Sequence, residues 1–335
     1  MSTADAARPP SIAESLDPFV DVGRALAPPA PGLGVVPKLR GLYALTKPNL
    51  SGLVMSTGVL GYVLAATGVE PARLVHLIVG LWCTSGGAGA LNMYLERGLD
   101  ERMRRTRTRP IPSGVISPGA ALGFAIGLFT FGFAVLSTFA SPAAALLSLL
   151  TLAIYAFVYT PLKRRGPVAI WVGAIPGAIP PMIGWAAATG TLAAPAWALF
   201  AVLFLWQFPH FLALAWMYRE DYARGGFDFL ARELVVPAGR AIDVEAPVDG
   251  GPTARQMFVG ASLLVPATLS LVPLGAAGLV YGFGALALGA WFVGSTLRML
   301  REPATPAARR VFFASIIYLP LLLALIVADR WLRLG

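Results

Sequence analysis

The sequence predicts an all-α fold: a polytopic membrane bundle of nine transmembrane helices, with a cap on the cytoplasmic side that holds the candidate active site. The first observation is composition, because 57% of the 335 residues are hydrophobic and only 13% are charged, whereas a soluble domain is about a quarter charged. The second is a series of nine apolar runs, each long enough to cross a bilayer. The third is the concentration of lysine and arginine on one side of those runs.

The apolar runs each contain about 17 to 24 residues, the length that a helix needs to span the hydrocarbon core. A mean hydropathy of +0.71 fits a chain that mostly faces lipid or other helices. Two pairs of runs are separated only by 140–142 and by 273–275, which predicts two antiparallel helical hairpins. The nine runs are 50–67, 74–93, 118–139, 143–159, 169–188, 196–216, 257–273, 276–297 and 310–329.

The distribution of basic residues gives the predicted orientation. With these nine spans, 23 of the 26 lysines and arginines fall on one side, and only Arg73, Arg330 and Arg333 fall opposite. Because basic loops stay in the cytoplasm, we expect a cytoplasmic amino terminus in a bacterial plasma (inner) membrane. This asymmetry accounts for the net charge of +9, so we expect membrane lipid rather than nucleic acid as a partner.

The first 36 residues differ from the rest of the chain. They are rich in alanine and proline, carry four acidic residues and lack an apolar core, so they fit neither a secretory signal nor a transit peptide. We expect 1–36 to be a disordered cytoplasmic tail and 37–335 to be one membrane domain. The loop 218–256 is either a lid or an inert insertion. One cysteine and two histidines exclude an internal disulfide and a zinc site.

The stretch 92–109 carries the strongest chemical signal. Asn92, Glu96 and Asp100 follow at intervals of four, so on a continuing helix they share one face. Oxygen ligands together with substrate phosphates are the usual way to bind Mg²⁺, and we therefore predict a magnesium diphosphate site. The alternative is a positive-inside flank, which explains the nearby arginines but not the stacked acids. Those arginines are Arg97, Arg102, Arg104, Arg105, Arg107 and Arg109.

Two further polar motifs end helices four and six on the same side. Tyr159 and Lys163 are four apart and would aim a phenol and an ammonium at one anion, unless Pro161 breaks the helix. For Lys163 and Arg164, anchoring of the loop on the cytoplasmic side is an equal alternative. For Asp221, the alternative is a solvated loop acid paired with a neighbouring arginine.

Helices five and six are candidates for a ligand chamber. Helix five contains three prolines and three glycines, and the carbonyls that proline frees are tolerated at membrane depth only against protein or a wet cavity. This helix is therefore either kinked for packing or broken to line a substrate chamber. In helix six, Gln207 and His210, next to Trp206, are expected to face the bundle interior. His210 has either a structural hydrogen bond or contact with a ligand.

These motifs in this order resemble the UbiA superfamily of intramembrane prenyltransferases, over residues 40–329. Three motifs resemble those of the whole superfamily: N-M-Y-L-E-R-G-L-D, Y-T-P-L-K-R and Y-R-E-D-Y. Three others resemble those of the branch whose acceptor is haem: R-T-x-x-R-P, P-P-x-I-G-W and W-Q-x-P-H-F. The sequence departs from the family pattern at two places. Glu96 and Gly98 stand where the family usually or often has aspartate, and Gly225 follows Asp221 where a second aspartate is usual, which favours one Mg²⁺ over two.

The resemblance implies Mg²⁺-dependent transfer of a farnesyl group from farnesyl diphosphate to a vinyl group of haem B. It assigns the metal and catalysis to Asn92, Glu96, Asp100 and Asp221. It assigns the diphosphate to Arg105, Arg109, Tyr159, Lys163 and Arg164, and the haem pocket to Trp206, Gln207 and His210. Candidate protein partners are a haem A synthase and oxidase assembly proteins. Two alternatives stay open: a prenyltransferase with an aromatic or quinone-precursor acceptor, and a transporter of haem or polyanions, which would place polar groups near the midplane.

Overall fold

The computed structural model describes residues 34–163, 166, 168–224 and 250–334. Within that part of the chain the regular structure is entirely helical, as predicted. The predictions of a disordered tail, a role for Arg164 and a lid or insertion fall wholly or mostly outside the described residues, so they stay predictions. The first helix begins at Val35, inside the stretch that was assigned to the tail.

We number the helices α1 to α12 in chain order, counting a π-helical segment with the α-helix that it continues. Proline begins α2, α3, α5 and α6, because its fixed φ suits the first turn and its missing N–H would have no partner there. The helices are α1 Val35–Leu45, α2 Pro48–Ala65, α3 Pro71–Leu95, α4 Arg97–Asp100, α5 Pro118–Ala140, α6 Pro142–Leu162, α7 Val168–Thr189, α8 Ala194–Met217, α9 Arg219–Arg224, α10 Gly251–Leu269, α11 Leu279–Arg301 and α12 Thr305–Leu334.

Among the described residues, eight helices are long and apolar enough to cross a membrane, and they coincide with eight of the nine predicted runs. The ninth run, 257–273, corresponds to α10, which begins earlier, at Gly251. The polar residues at its start, 251–256, lower its hydropathy. The all-helical, multi-pass membrane class is confirmed, whereas the count of nine spans stays a prediction.

Two hydrophobic cores meet at α7, which breaks at Ile179. The larger core joins the first half of α7 to α8, α10, α11 and α12, and the smaller joins its second half to α2, α3, α5 and α6. A methyl group added at Gly184 would overlap the carbonyl oxygen of Gly58, and one at Gly61 would overlap that of Pro181. Small residues therefore let α2 and α7 pack backbone to backbone.

A π-helical segment, Ile154–Tyr159, interrupts α6 shortly before Pro161. In a regular α-helix the proline ring would clash with the carbonyl four residues earlier. The wider π-turn accommodates the proline, and such turns are frequent at functional sites. The segment contains two stacked tyrosines, Tyr155 near its start and Tyr159 at its end, whose ring centroids are 5.7 Å apart.

The three arginines that go against the predicted charge asymmetry each have a local partner. Arg73 pairs with Glu70 at 3.4 Å, and Arg330 donates to two backbone carbonyls at the end of α2. Arg333 pairs at 3.0 Å with Asp329, a buried carboxylate that also accepts from backbone N–H groups at the start of α11. Each exception therefore lies next to a helix end, where it has a structural role.

Candidate active site

Two adjoining cavities make up the candidate site. A polar cavity of about 90 Å³ lies where the end of α3, the loop after α4 and the end of α6 meet. A mostly apolar cavity of about 240 Å³ lies among α2, α3, α6, α7 and α8. Tyr159 and Lys163 line both cavities, so the two form one site with an ionic end and an apolar end.

The end of α3 supplies the oxygen donors of the ionic end. Asn92, Glu96 and Asp100 all line the polar cavity and are 0%, 5% and 0% exposed. Although α3 ends at Leu95, backbone hydrogen bonds of 2.9 Å still join Glu96 to Asn92 and Asp100 to Glu96. The helical spacing therefore continues past the helix end, and the structure brings these three side chains together as predicted.

The side-chain oxygens of these three residues each accept a hydrogen bond from a different cation. The Lys47 ammonium donates to Asn92 Oδ1 at 2.5 Å, and the Lys163 ammonium to Glu96 Oε1 at 2.5 Å. Arg109 donates to both carboxylate oxygens of Asp100, at 2.7 and 2.8 Å. The cationic side chains that line the polar cavity are Lys47, Arg105, Arg109 and Lys163.

These pairs determine the electrostatics of the site. Burial alone would raise the pKa of Glu96, but the ammonium groups of Lys163 and Lys47 hold it below its ordinary value. Burial raises the pKa of Asp100, although the Arg109 guanidinium opposes that rise. Among the described residues, no three His, Cys, Asp or Glu side chains converge as a metal site. Glu96 and Asp100 are each paired with a cation, and Asp221 does not line this cavity, so metal binding by the predicted set of four residues stays a prediction.

Lys47 is a site residue that the sequence analysis missed, having counted it only as a basic residue before the first span. It is the one non-glycine residue with a positive φ, 49°, in the described part of the chain, and it directly precedes Pro48. Its Nζ also lies 3.3 Å from the Tyr155 hydroxyl. Burial and the nearby Arg109 lower the pKa of Lys47 to about 7. A lysine directly before the proline that begins a span could have marked Lys47 as a residue at the membrane boundary. Its contact with Asn92 could not be predicted, because the two residues are 45 apart in sequence.

Tyr159 and Lys163 lie side by side, as their spacing predicts, whereas their role in binding one anion stays a prediction. The Lys163 backbone N–H bonds to the Tyr159 carbonyl at 3.1 Å, so Pro161 does not break the last turn of α6. The Lys163 ammonium lies 4.6 Å from the centre of the Tyr159 ring, within the range of a cation–π interaction. Arg164, the third basic residue predicted here, lies outside the described residues, and its role stays a prediction.

Asp221, predicted as a metal ligand, binds backbone N–H groups in the structure. Its carboxylate accepts from the backbone N–H groups of Arg104 at 3.0 Å and Arg105 at 3.3 Å. These bonds join α9 to the loop 101–117 that follows α4, here called the arginine loop. It does not line the polar cavity that the described residues enclose. Arg105 does, with its guanidinium over the rings of Tyr218 and Tyr222 at 5.5 and 5.8 Å. The contacts therefore give Asp221 a positioning role for Arg105.

The broken helix α7 serves both roles that the sequence left open. Its first half lines the apolar cavity through Gly173, Pro176 and Gly177. Its second half also lines the cavity, through Pro180 and Ile183, and packs against α2. A methyl group at Gly173 would overlap the Tyr159 ring, and one at Gly177 would overlap the Gln207 amide. Gln207 lines the cavity and its amide nitrogen donates to two backbone carbonyls, both at 3.0 Å.

Trp206 and His210 face a different neighbour from Gln207. His210 Nδ1 lies 2.8 Å from the Ser315 hydroxyl of α12, and the Trp206 indole donates to the Ser315 carbonyl at 2.9 Å. Residues four apart share a helix face, so Trp206 and His210 form one stripe toward α12. Gln207 and Phe211 form the stripe that lines the apolar cavity. His210 thus has the structural hydrogen bond that was the alternative to ligand contact.

Known proteins resemble this chain over most of its length. The UbiA prenyltransferase family matches residues 54–317. A protoheme IX farnesyltransferase of Solibacter usitatus (strain Ellin6076) is 42% identical over 303 residues, which cover 87% of this chain and 99% of that protein. A second, of Anaeromyxobacter sp. (strain Fw109-5), is 44% identical over 282 residues, which cover 84% of this chain and 90% of that protein.

Solved structures share the fold. A digeranylgeranylglyceryl phosphate synthase matches with a TM-score of 0.71 at 16% identity, over 87% of this chain and 98% of that chain. A UbiA homologue from Archaeoglobus fulgidus bound to DMAPP and Mg²⁺ matches with a TM-score of 0.59 at 14% identity, over 87% of this chain and 99% of that chain. The family match and the sequence relatives together show that this chain belongs to the UbiA prenyltransferase family.

Proposed function

We propose that this prenyltransferase moves the farnesyl group of farnesyl diphosphate to a vinyl group of haem B, giving haem O, with Mg²⁺ as its cofactor. The observation that carries this proposal is the row of buried oxygen donors, each matched with its own cation, at the end of an apolar cavity. The name that the sequence relatives bear supports the choice of donor and acceptor. The Mg²⁺ and DMAPP bound by the Archaeoglobus fulgidus homologue support the metal.

The donor atoms fit Mg²⁺, which prefers carboxylate and other oxygen ligands together with substrate phosphates. Asn92, Glu96 and Asp100 would hold it. The resemblance implies Asp221 as a fourth ligand, which would require its carboxylate to leave the backbone N–H groups of Arg104 and Arg105. When bound, Mg²⁺ would neutralise charge on the diphosphate and make it a better leaving group. Because Glu96 and Asp100 are already paired with cations, those pairs must loosen for the carboxylates to become ligands.

The cations released from these pairs could bind the diphosphate instead. Lys47, Lys163 and Arg109 line the same cavity as the oxygen donors, so each can turn from its present partner toward a diphosphate oxygen. They would stabilise the negative charge that develops as the diphosphate departs. Lys163 lines both cavities, and it would therefore mark the boundary between the diphosphate end and the prenyl end of the substrate.

The apolar cavity suits the reactive part of the substrate. Departure of the diphosphate breaks its bond to farnesyl C1 and leaves an allylic cation, which a vinyl carbon of haem B attacks. Water then adds to the resulting cation and loses a proton, which completes the hydroxyethylfarnesyl group. Tyr155 and Tyr159 line this cavity, and their ring faces would stabilise positive charge. The broken first half of α7 offers glycine surface to which a flat acceptor can come close.

The proposal includes a place in the cell. We infer the bacterial inner membrane with a cytoplasmic amino terminus, supported by the asymmetry of basic residues and by the local partners of the three exceptions. A haem A synthase and oxidase assembly proteins stay predicted partners.

The test of this function is an acceptor panel. Purified protein in detergent receives Mg²⁺ and farnesyl diphosphate with haem B, with a 4-hydroxybenzoate-type acceptor or with no acceptor, and products are identified by mass spectrometry. We expect a farnesylated, hydrated haem only in the haem B reaction, and none after the metal is removed by chelation. Prenylation of the aromatic acceptor alone, or haem recovered unchanged, would refute the proposal.

A further inference from the structure

Thr160 lies at the point where the π-helical segment of α6 ends, and its hydroxyl is already committed. Thr160 Oγ1 donates to the Tyr155 carbonyl at 2.9 Å, and the Thr160 backbone N–H bonds to the same carbonyl. The carbonyl is five residues earlier, which is the hydrogen-bond spacing of a π-helix. The π-turn thus fixes both the backbone and the side chain of Thr160.

The Asn92 side chain is held at both ends. Its Nδ2 donates to Thr160 Oγ1 at 3.2 Å, and its Oδ1 accepts from the Lys47 ammonium at 2.5 Å. A hydroxyl has one hydrogen, and Thr160 donates it to the Tyr155 carbonyl. The Thr160 oxygen can therefore only accept a hydrogen bond from Asn92. An ammonium group can only donate. The two neighbours therefore require the NH₂ to face Thr160 and the carbonyl oxygen to face Lys47, whose side chain lines the polar cavity.

We infer that Thr160 is a positioning residue that acts through Asn92. It holds the amide so that Asn92 presents oxygen, rather than NH₂, to the polar cavity. Only the oxygen can ligate a cation, because the amide nitrogen carries two hydrogens and offers no acceptor. Once Lys47 turns toward the diphosphate, the Thr160 hydroxyl is the neighbour that still orients the amide, and without it the amide can rotate by half a turn and place its NH₂ in the cavity. The inference rests on the proposed function, in which this cavity binds Mg²⁺ with the diphosphate.

The test measures metal affinity rather than turnover. Wild type, Thr160→Val and Thr160→Ser are purified in detergent and titrated with Mn²⁺ in the presence of farnesyl thiodiphosphate, and free Mn²⁺ is followed by electron paramagnetic resonance. Loss of one oriented hydrogen bond predicts Mn²⁺ affinity about 5- to 10-fold weaker in Thr160→Val. Thr160→Ser keeps the hydroxyl and should restore the affinity to within about 2-fold of wild type.

Thr296→Val is the matched control. Thr296 is buried in α11, and its hydroxyl also donates to a carbonyl of its own helix, that of Val293 at 2.7 Å, but it lines neither cavity of the site. This variant should keep wild-type Mn²⁺ affinity. If Thr160→Val does not fold, Thr160→Ala replaces it, with the same expected loss and the same test. A Thr296→Val loss equal to that of Thr160→Val would overturn the inference, because the effect would then be general.

Asn92→Ala separates this inference from the function on which it rests. If Asn92→Ala keeps wild-type Mn²⁺ affinity, the proposed metal site itself is wrong. If Asn92→Ala weakens Mn²⁺ but Thr160→Val does not, only the positioning role is wrong. The inference further requires that Thr160→Val cause no additional loss when it is combined with Asn92→Ala, because the hydroxyl would then have nothing to orient. Additive losses in the double variant would overturn it.

Discussion

Replacement of Lys163 by methionine perturbs the site at the boundary of its two cavities. The Lys163 and Glu96 side chains are only 11% and 6% exposed, and their charged atoms are 2.5 Å apart. Methionine keeps the unbranched apolar part of the side chain but leaves the Glu96 carboxylate buried without this cation. Breaking one side of a buried ion pair costs about 3–5 kcal/mol, so we expect a clearly lower melting temperature for Lys163→Met.

The same substitution removes a cation that the proposed reaction needs. Loss of one preorganised group that stabilises a developing anion typically slows turnover by about 100-fold or more. Adding Glu96→Gln removes the unpaired charge and should restore most of the stability, while turnover stays low. Melting temperature is measured by scanning fluorimetry in detergent, and affinity by calorimetric titration with farnesyl thiodiphosphate and Mg²⁺.

The control is Arg333→Met, which breaks another ion pair whose two residues line neither cavity. Arg333 pairs with Asp329 at 3.0 Å, so this variant should lose stability and keep wild-type affinity for farnesyl thiodiphosphate. The reasoning is refuted if Lys163→Met binds the analogue as wild type does. It is equally refuted if the double variant with Glu96→Gln regains full turnover, because the ion pair would then be purely structural.

Three further predictions follow from the same contacts. Lys47→Met should weaken farnesyl thiodiphosphate binding about 10-fold, as expected for a lost hydrogen bond to a charged group, whereas Lys38→Met, on the exposed side of α1, should not change the dissociation constant. His210→Ala should lower the melting temperature through its lost contact with Ser315 and leave haem B affinity unchanged; a specific loss of haem affinity would restore the predicted acceptor role. Topology is tested by cysteine accessibility, with one cysteine at a time introduced into a Cys83→Ala background. Labelling of Gly190→Cys from the same side of the membrane as the other two positions would contradict the nine-span topology. The three labelled positions are Ser113, Gly166 and Gly190.

The sequence was sufficient for those features that depend on local spacing. Apolar length located eight of the spans that the structure confirms, and the interval of four placed Asn92, Glu96 and Asp100 in one cavity even where α3 ends. The same interval could have separated Trp206 and His210 from Gln207. The prediction grouped them because it considered their polarity and not the stripe that each one follows along α8.

Other features could not be predicted because they depend on distant parts of the chain. No local pattern requires the left-handed backbone of Lys47, and nothing in the sequence indicates which cation each acid will choose. The π-turn before Pro161 arises from a steric conflict whose resolution, a kink or a wider turn, is decided by tertiary packing. The position of Asp221 at the backbone of the arginine loop joins residues more than 100 apart, which spacing cannot reveal.

The most direct test of the central claim compares wild type with Asp100→Asn in the conversion of haem B. Asp100 is fully buried and its carboxylate is bound by Arg109, so asparagine keeps the shape and removes the charge. With haem B, farnesyl diphosphate and Mg²⁺, mass spectrometry should show wild type adding one farnesyl group and one water to haem and releasing one diphosphate. Asp100→Asn should do so at least about 100-fold more slowly, at an unchanged yield of folded protein. Wild-type turnover in the variant, or no farnesylated haem from wild type, would contradict the account.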